Sequence, residues 1–84
     1  MSMRLFPLRA ALEEYLDRHN LRQKFERQKQ LFEENLRHPS LHTELLEPSQ
    51  WRIYSFRIDQ KYRAIFRIRK DGDAEIIDIN NHYQ

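Results

Sequence analysis

The sequence predicts an α+β fold, in which two antiparallel helices pack on one face of a small, mostly antiparallel β-sheet. Three observations support this prediction. Two stretches of the first half repeat apolar residues at helical spacing, residues 51–68 read as a β-hairpin with one apolar face, and the only glycine lies in a turn before a final strand-like segment. The predicted order is β-α-α-β-β-β, in a single domain formed by residues 1–84.

The first half begins with a short predicted strand at residues 2–6, which ends at Pro7 because proline has no backbone donor and suits the first turn of a helix. A first helix is predicted over residues 7–18 because apolar residues recur there at the spacing of one helix face. The predicted buried stripe contains Leu8, Ala11, Leu12, Tyr15 and Leu16.

A second helix is predicted to begin near Leu21 and to end near Arg37. Asn20 is a favourable N-cap and Gln23 completes a capping box, whereas Pro39 disfavours a helical residue before it. Its predicted apolar stripe contains Leu21, Phe25, Leu31, Phe32 and Leu36. The two helices should therefore pack as an antiparallel pair.

Residues 38–50 form the longest irregular connection. In a domain of this size such a connection is either a functional loop or a flexible one. It carries His42, Glu44 and Glu47. If the loop is functional, these are its candidate functional side chains.

The hairpin of residues 51–68 organises the chain, and a three-residue loop at residues 59–61 sets its register. The expected core-side pairs are Ile58 with Tyr62, Phe56 with Ala64, and Tyr54 with Phe66. The same register places Arg57 across from Arg63 on the other face, where like charges repel. Either an anion lies against this pair, or both arginines belong to a solvated sheet face with their stems covering apolar surface.

The last strand is predicted at residues 74–80, after a turn at residues 70–73 that contains the glycine. The expected core-side pairs are Ile77 with Phe66 and Ile79 with Ala64. The opposite face should gather Arg63, Asn80 and His82.

The composition excludes several classes of function. Without cysteine there is no disulfide, thiolate nucleophile or cysteine zinc site, which agrees with a reducing cytoplasm. The histidines at 19, 38 and 42 lack metal-ligand spacing, and one glycine cannot build a phosphate-cradling loop, so no metal and no cofactor are predicted. No apolar run reaches the length of a membrane span or signal peptide, so we expect a cytoplasmic protein without a membrane partner.

The positive charge is concentrated rather than large. The net charge is +2, yet residues 51–70 hold seven of the fifteen Lys and Arg residues against the single acid Asp59. The seven are Arg52, Arg57, Lys61, Arg63, Arg67, Arg69 and Lys70. Polyanions are the natural partners of such a segment. The charged residues of both helices, including the run 22–29, are interpreted as ordinary solvated surface.

A basic sheet face bordered by Glu44, His82 and Tyr83 holds the parts for metal-free RNA cleavage. A base takes the proton of a 2′-hydroxyl, a guanidinium stabilises the phosphorane, and an acid protonates the leaving oxygen. The plainer interpretations stay open: Glu44 is a solvated loop residue, His82 is terminal surface, and Tyr83 and Trp51 are peripheral core rather than stacking platforms.

Three segments carry a family resemblance: residues 34–46, residues 54–68 and the terminal pair His82-Tyr83. The chain resembles the RelE/ParE superfamily of toxins from type II toxin-antitoxin systems, and most closely the YoeB-like ribosome-dependent mRNA interferases. In those toxins a glutamate lies ten residues before an aromatic-Ser pair, as Glu44 lies ten before Tyr54-Ser55. Their phosphate-contacting arginine follows a basic or aromatic residue, as in Tyr62-Arg63.

The resemblance implies cleavage of mRNA in the ribosomal A site. Glu44 would be the general base, Arg63 would stabilise the phosphorane, His82 would be the general acid, and Tyr83 would hold or stack on the mRNA. Further expected RNA or phosphate contacts are Arg52, Arg57, Lys61, Arg67, Arg69, His42 and Trp51. The implied partners are a cognate antitoxin, the ribosome and mRNA, in a homodimer or a toxin-antitoxin heteromer.

Two alternatives share the same fold. A ParE-like protein inhibits DNA gyrase without cleaving RNA, and an inactive relative serves only as a binding module. Fold alone cannot separate these functions from RNA cleavage.

Overall fold

The computed structural model describes residues 3–81 and confirms the predicted α+β class. Two helices precede a four-stranded antiparallel sheet with the spatial order β1-β2-β3-β4. The helices are α1 (Ala10–Arg18) and α2 (Arg22–Glu34), and the strands are β1 (Glu44–Leu45), β2 (Ile53–Arg57), β3 (Arg63–Ile68) and β4 (Ala74–Asn80). Short 3-10 turns at Pro39–Leu41 and Ser49–Trp51 flank β1.

The predicted N-terminal strand is reduced to a single parallel bridge between Leu5 and Ala74. The N–H of Phe6 donates to the carbonyl of Ala74 over 2.7 Å, and the N–H of Ala74 donates to the carbonyl of Arg4 over 2.9 Å. The pairing does not extend to Pro7. The first strand of the sheet is instead β1, inside the connection that was predicted to be irregular.

Both helices are shorter than predicted. The first begins at Ala10 rather than at Pro7, and the second ends at Glu34 rather than near Arg37. Asn35 ends α2, since its backbone is extended and its side-chain oxygen accepts the N–H of Arg37 over 3.0 Å. Such a local side-chain hydrogen bond offers the backbone an alternative to continuing the helix.

The predicted capping box between the helices is wrong. Asn20 lies in the left-handed region with a φ of 58°, which asparagine tolerates, and the residue that caps α2 is Leu21. The junction is held by Arg22, whose guanidinium donates to the carboxylates of Glu13 and Asp17 on α1. These bonds fix the antiparallel helix pair that the sequence predicts.

Aromatic rings build the core between the helices and the sheet. Phe32 on α2 packs against Phe56 on β2 and edge-on against Phe66 on β3, with ring centroids 5.0 and 5.2 Å away. The predicted helical residues that are buried are Leu12, Leu16, Leu21, Phe25 and Phe32, and those partly buried against them are Leu8, Tyr15, Leu31 and Leu36. Ala11 is exposed, contrary to prediction.

The hairpin register is confirmed at every predicted pair, including Arg57 opposite Arg63. Between β3 and β4 the pair Ala64–Ile79 is also confirmed, whereas Phe66 faces Ile76 rather than Ile77. A bulge at this point inserts one residue into the ladder and changes which side chain faces inward. Ile76 is therefore buried and Ile77 only half-buried.

The hairpin loop is held by the carboxylate of Asp59. This group accepts the N–H groups of Lys61 and Tyr62, each over 2.8 Å, and pairs with Lys24 on α2 over 3.0 Å. Burial acts to raise the pKa of Asp59, but the two backbone hydrogen bonds and Lys24 outweigh it, so the pKa lies below the ordinary aspartate value.

We expect Asp59→Asn to make folding less sensitive to acid. A carboxylate with a lowered folded-state pKa stabilises the fold above its unfolded-state pKa, about 3.9, and the stabilisation is lost as the pH falls through the folded-state value. Urea unfolding should therefore show a larger free-energy gap between wild type and variant at about pH 7 than at about pH 2.5. An equal gap at both pH values would contradict this role of Asp59.

Candidate functional site on the sheet face

Glu44, Ser55 and Arg63 lie together on the sheet face opposite the core. Glu44 pairs with Ser55 across β1 and β2, and Arg63 enters from β3. Side chains alternate between the two faces along a strand, so the burial of Phe56 and Ala64 in the core places Ser55 and Arg63 on the other side. Glu44 belongs to a strand rather than to a loop, which fixes the position of its backbone.

The guanidinium of Arg63 is buried among oxygen atoms. Its Nε donates to the Oγ of Ser55 over 3.0 Å, and its Nη2 donates to the carbonyl oxygen of His42 over 2.6 Å. The Oε2 of Glu44 lies 4.0 Å from the same Nη2. Arg63 is 5% exposed, so the expectation that it belongs to an open cationic face is wrong. A buried charge requires such partners because it has lost its hydration.

His42 contributes its backbone to this site. It follows the 3-10 turn Pro39–Leu41 and has a φ of 46°, in the left-handed region. Its carbonyl reaches Arg63, whereas its side chain is exposed beside the site. The hydrogen bond from Arg63 therefore goes to the main chain of His42. An RNA contact by the His42 side chain stays a prediction.

Four other predicted contacts lie at the two ends of β2. Arg57 is half-buried and directly opposite Arg63, and Lys61 is exposed in the hairpin loop. Trp51 and Arg52 precede β2, where Trp51 is 68% exposed and Arg52 has a φ of 55°. Arg57 and Lys61 therefore lie toward the hairpin loop, and Trp51 and Arg52 lie at the opposite end of β2.

Two predicted phosphate contacts form ion pairs at a distance from the hairpin loop. Arg67 pairs with Glu75 over 2.8 Å. Arg69 pairs with Asp71 over 3.3 Å, and its guanidinium carbon lies 3.9 Å from the centre of the Phe6 ring. Their charge is therefore partly offset within the chain.

Two polar residues shape this region in roles that the sequence does not assign. Ser55 supplies the buried hydroxyl that accepts a hydrogen bond from Arg63. The sequence feature that could indicate this role is a small hydroxyl residue between two aromatic residues of a strand. Gln28 lies in the run interpreted as solvated surface, yet it is 5% exposed. Its position three residues after Phe25 and four before Phe32 places it on the buried stripe of α2.

The predicted general acid His82 and the predicted mRNA contact Tyr83 lie outside the described residues. Within residues 3–81, no group of three or more histidine and acidic side chains is arranged to hold a metal ion. In the same range, neither helix has the length and apolar character needed to cross a membrane.

The helix pair and the antiparallel sheet are consistent with a RelE-like fold. Residues 8–84 match the family model of the ParE toxin of type II toxin-antitoxin systems, parDE, and the chain belongs to this family. No curated protein is similar enough to this chain to count as a match. Type II toxins pair with a cognate antitoxin, which is therefore the partner class of this protein.

Proposed function

We propose that this toxin is a YoeB-like endoribonuclease, which cleaves mRNA in the ribosomal A site without a catalytic metal ion. The observation that carries the proposal is the pairing of Glu44, whose side chain is 45% exposed, with the buried guanidinium of Arg63 at 4.0 Å. A carboxylate that a substrate can reach and a fixed positive charge are the two groups that attack by a 2′-hydroxyl requires.

In the proposed reaction, Glu44 takes the proton from the 2′-hydroxyl, and that oxygen attacks the adjacent phosphorus. The bond from phosphorus to the 5′-oxygen of the next nucleotide breaks, leaving a 2′,3′-cyclic phosphate and a 5′-hydroxyl. Arg63 stabilises the additional negative charge of the phosphorane. His82 protonates the leaving oxygen and Tyr83 holds the mRNA, and both roles rest on the family resemblance.

The surroundings of Arg63 suit this role. Ser55 and the carbonyl of His42 hold its guanidinium in one orientation, so little reorganisation is needed when charge develops on the phosphate. The exposed cations Lys61 and Arg52 add favourable potential for a polyanion. Ribosome-bound mRNA in the cytoplasm is the proposed substrate.

Gyrase inhibition is the second candidate function, and the match to a ParE family model favours it. A gyrase inhibitor has no chemical need for the Glu44–Arg63 pair. If the protein is a gyrase inhibitor, it should therefore remain toxic when both residues are substituted. If it is an mRNA interferase, the same substitutions should abolish both toxicity and cleavage.

The test is cleavage of mRNA on programmed ribosomes by purified protein, with a metal chelator present. We expect Glu44→Gln to lower the cleavage rate about 10²-fold, because the amide cannot accept the proton. Glu47→Gln is the matched control, since Glu47 is an exposed glutamate of the same connection, and it should cleave at the wild-type rate. Folded wild-type protein that arrests growth without cleaving mRNA would overturn the proposal in favour of gyrase inhibition.

A further inference from the structure

A groove of about 480 Å³ lies between α2 and the hairpin, next to the candidate site. We call it the α2–hairpin groove, and its charged and polar lining includes Lys24, Arg27, Gln28, His42, Arg57 and Asp59. His42 belongs to both places, because it lines the groove and its carbonyl oxygen accepts a hydrogen bond from Arg63. The groove therefore adjoins the Glu44–Arg63 pair through His42.

The α2–hairpin groove carries an excess of positive charge. Asp59 is the one carboxylate among its lining residues, all of which belong to the described part of the chain, and it pairs with Lys24 over 3.0 Å. Arg27 and Arg57 form no ion pair with any residue in the range 3–81. Two of the arginines that line the groove therefore have no balancing acid.

The walls of this groove are tied to each other by Gln28. Its Nε2 donates to the carbonyl of Arg57 on β2 over 2.7 Å and to the carbonyl of Ser40 over 3.2 Å. The hydroxyl of Ser40 in turn donates to the Oε1 of Gln28 over 3.3 Å. Helix, hairpin and 3-10 turn are thus fixed relative to one another, which lowers the ordering cost of binding a ligand between them.

The lining favours a phosphate over a protein segment. Peptide partners are usually anchored by apolar and aromatic contacts, whereas Ile58 is the one apolar residue among the lining residues within 3–81. Arginine forks are the groups that bind phosphate oxygens in pairs. The chemistry of the groove therefore matches a phosphodiester.

We propose that the α2–hairpin groove binds a backbone phosphate of the substrate RNA next to the phosphate at Arg63, through Arg27 and Arg57. This inference rests on the proposed function. Arg57 lies directly opposite Arg63 in the hairpin, where facing Cα atoms are about 5 Å apart, so one strand of RNA can reach both guanidinium groups. The helical run 22–29 thereby gains a binding role beyond that of solvated surface.

The test uses a short fluorescent 2′-O-methyl RNA, which cannot be cleaved because it has no free 2′-hydroxyl. Its affinity for the full chain is measured by anisotropy at several salt concentrations. Each phosphate contact to a single strand contributes about 0.7 to the slope of log K against log salt, so Arg27→Ala should lower that slope by about 0.7. Lys29→Ala is the matched control, since it removes a charge from the same helix outside the groove, and it should leave the slope unchanged.

Each alternative outcome has a distinct meaning. An unchanged slope for Arg27→Ala, equal losses for Arg27→Ala and Lys29→Ala, or no RNA binding by the wild type would overturn the groove proposal. Binding of a polyglutamate peptide that depends on Arg27, with RNA affinity unaffected, would assign the groove to an acidic protein segment instead. If Arg27→Ala lowers the slope but the wild-type protein does not cleave mRNA, the phosphate-binding groove is supported and the proposed catalytic function is wrong.

Discussion

Arg63→Gln is expected to lower the rate of ribosomal mRNA cleavage by about 10³-fold, near the upper end of what removal of a preorganised donor costs. Arg63 is buried, and its donors point at Ser55, at the carbonyl of His42 and toward Glu44. Glutamine retains a polar group beside Ser55 but lacks the charge that stabilises the phosphorane. The loss should appear in kcat, because the charge interaction strengthens only as the phosphorane forms.

Arg63→Lys separates charge from geometry and should lower cleavage about 10²-fold. A lysine keeps the positive charge, but its ammonium is a point donor that cannot reproduce the planar fork of arginine. It cannot serve both Ser55 and His42 with the fixed geometry seen for Nε and Nη2. We therefore expect the order wild type, Arg63→Lys, Arg63→Gln in decreasing rate.

Arg18→Gln is the matched control for these variants. Arg18 lies on α1 and pairs with Glu14 over 3.2 Å at a largely exposed position, so its loss should leave cleavage unchanged. Circular dichroism and urea unfolding must show that each Arg63 variant is folded, because an unsatisfied buried polar group costs about 1–3 kcal/mol. Cleavage near the wild-type rate by folded Arg63→Gln would remove Arg63 from the transition-state role.

The register of the hairpin is predictable from sequence because it depends on local features. A three-residue loop and alternating apolar positions fix Phe56 opposite Ala64 and Arg57 opposite Arg63, without knowledge of the rest of the chain. The bulge that places Ile76 rather than Ile77 in the core is not marked by glycine or proline. Only the fit of β4 against the helices selects it.

The burial of Arg63 is not predictable from the hairpin alone, because its partners come from distant residues. The His42 carbonyl lies 21 residues away in sequence, and the bond depends on where the 3-10 turn ends. The family resemblance names Glu44 and Arg63 as site residues, and their side chains lie 4.0 Å apart in the structure. The roles of His82 and Tyr83 remain predictions from the resemblance.

The α2–hairpin groove also escapes prediction from sequence, for a related reason. The run 22–29 alternates charges as a solvated helix face does, so nothing local distinguishes Arg27 from its neighbours. What distinguishes it is the packing of α2 against the hairpin through Gln28, because Arg27 and Arg57 then line the same groove. Long-range packing thus creates the charge cluster.

Phe56→Ala is expected to lower the free energy of unfolding by about 3–5 kcal/mol, the usual cost of removing a buried phenyl ring. Phe56 is fully buried, and its ring contacts those of Phe25, Phe32 and Phe66 at centroid distances of 6.4, 5.0 and 5.9 Å. The ring thus joins α2 to the hairpin. Small domains have a total stability of about 5–15 kcal/mol, so this one change should leave the fold marginal.

The measurement is urea unfolding of the full chain at neutral pH, followed by circular dichroism, with Trp51→Ala as the matched control. Trp51 is a larger aromatic residue that is 68% exposed, so its removal should change the free energy of unfolding by only about 0.5 kcal/mol. A conservative Phe56→Leu change should lie between the two, because it fills part of the cavity. Equal losses for Phe56→Ala and Trp51→Ala would mean that the four-ring cluster does not hold the helices on the sheet.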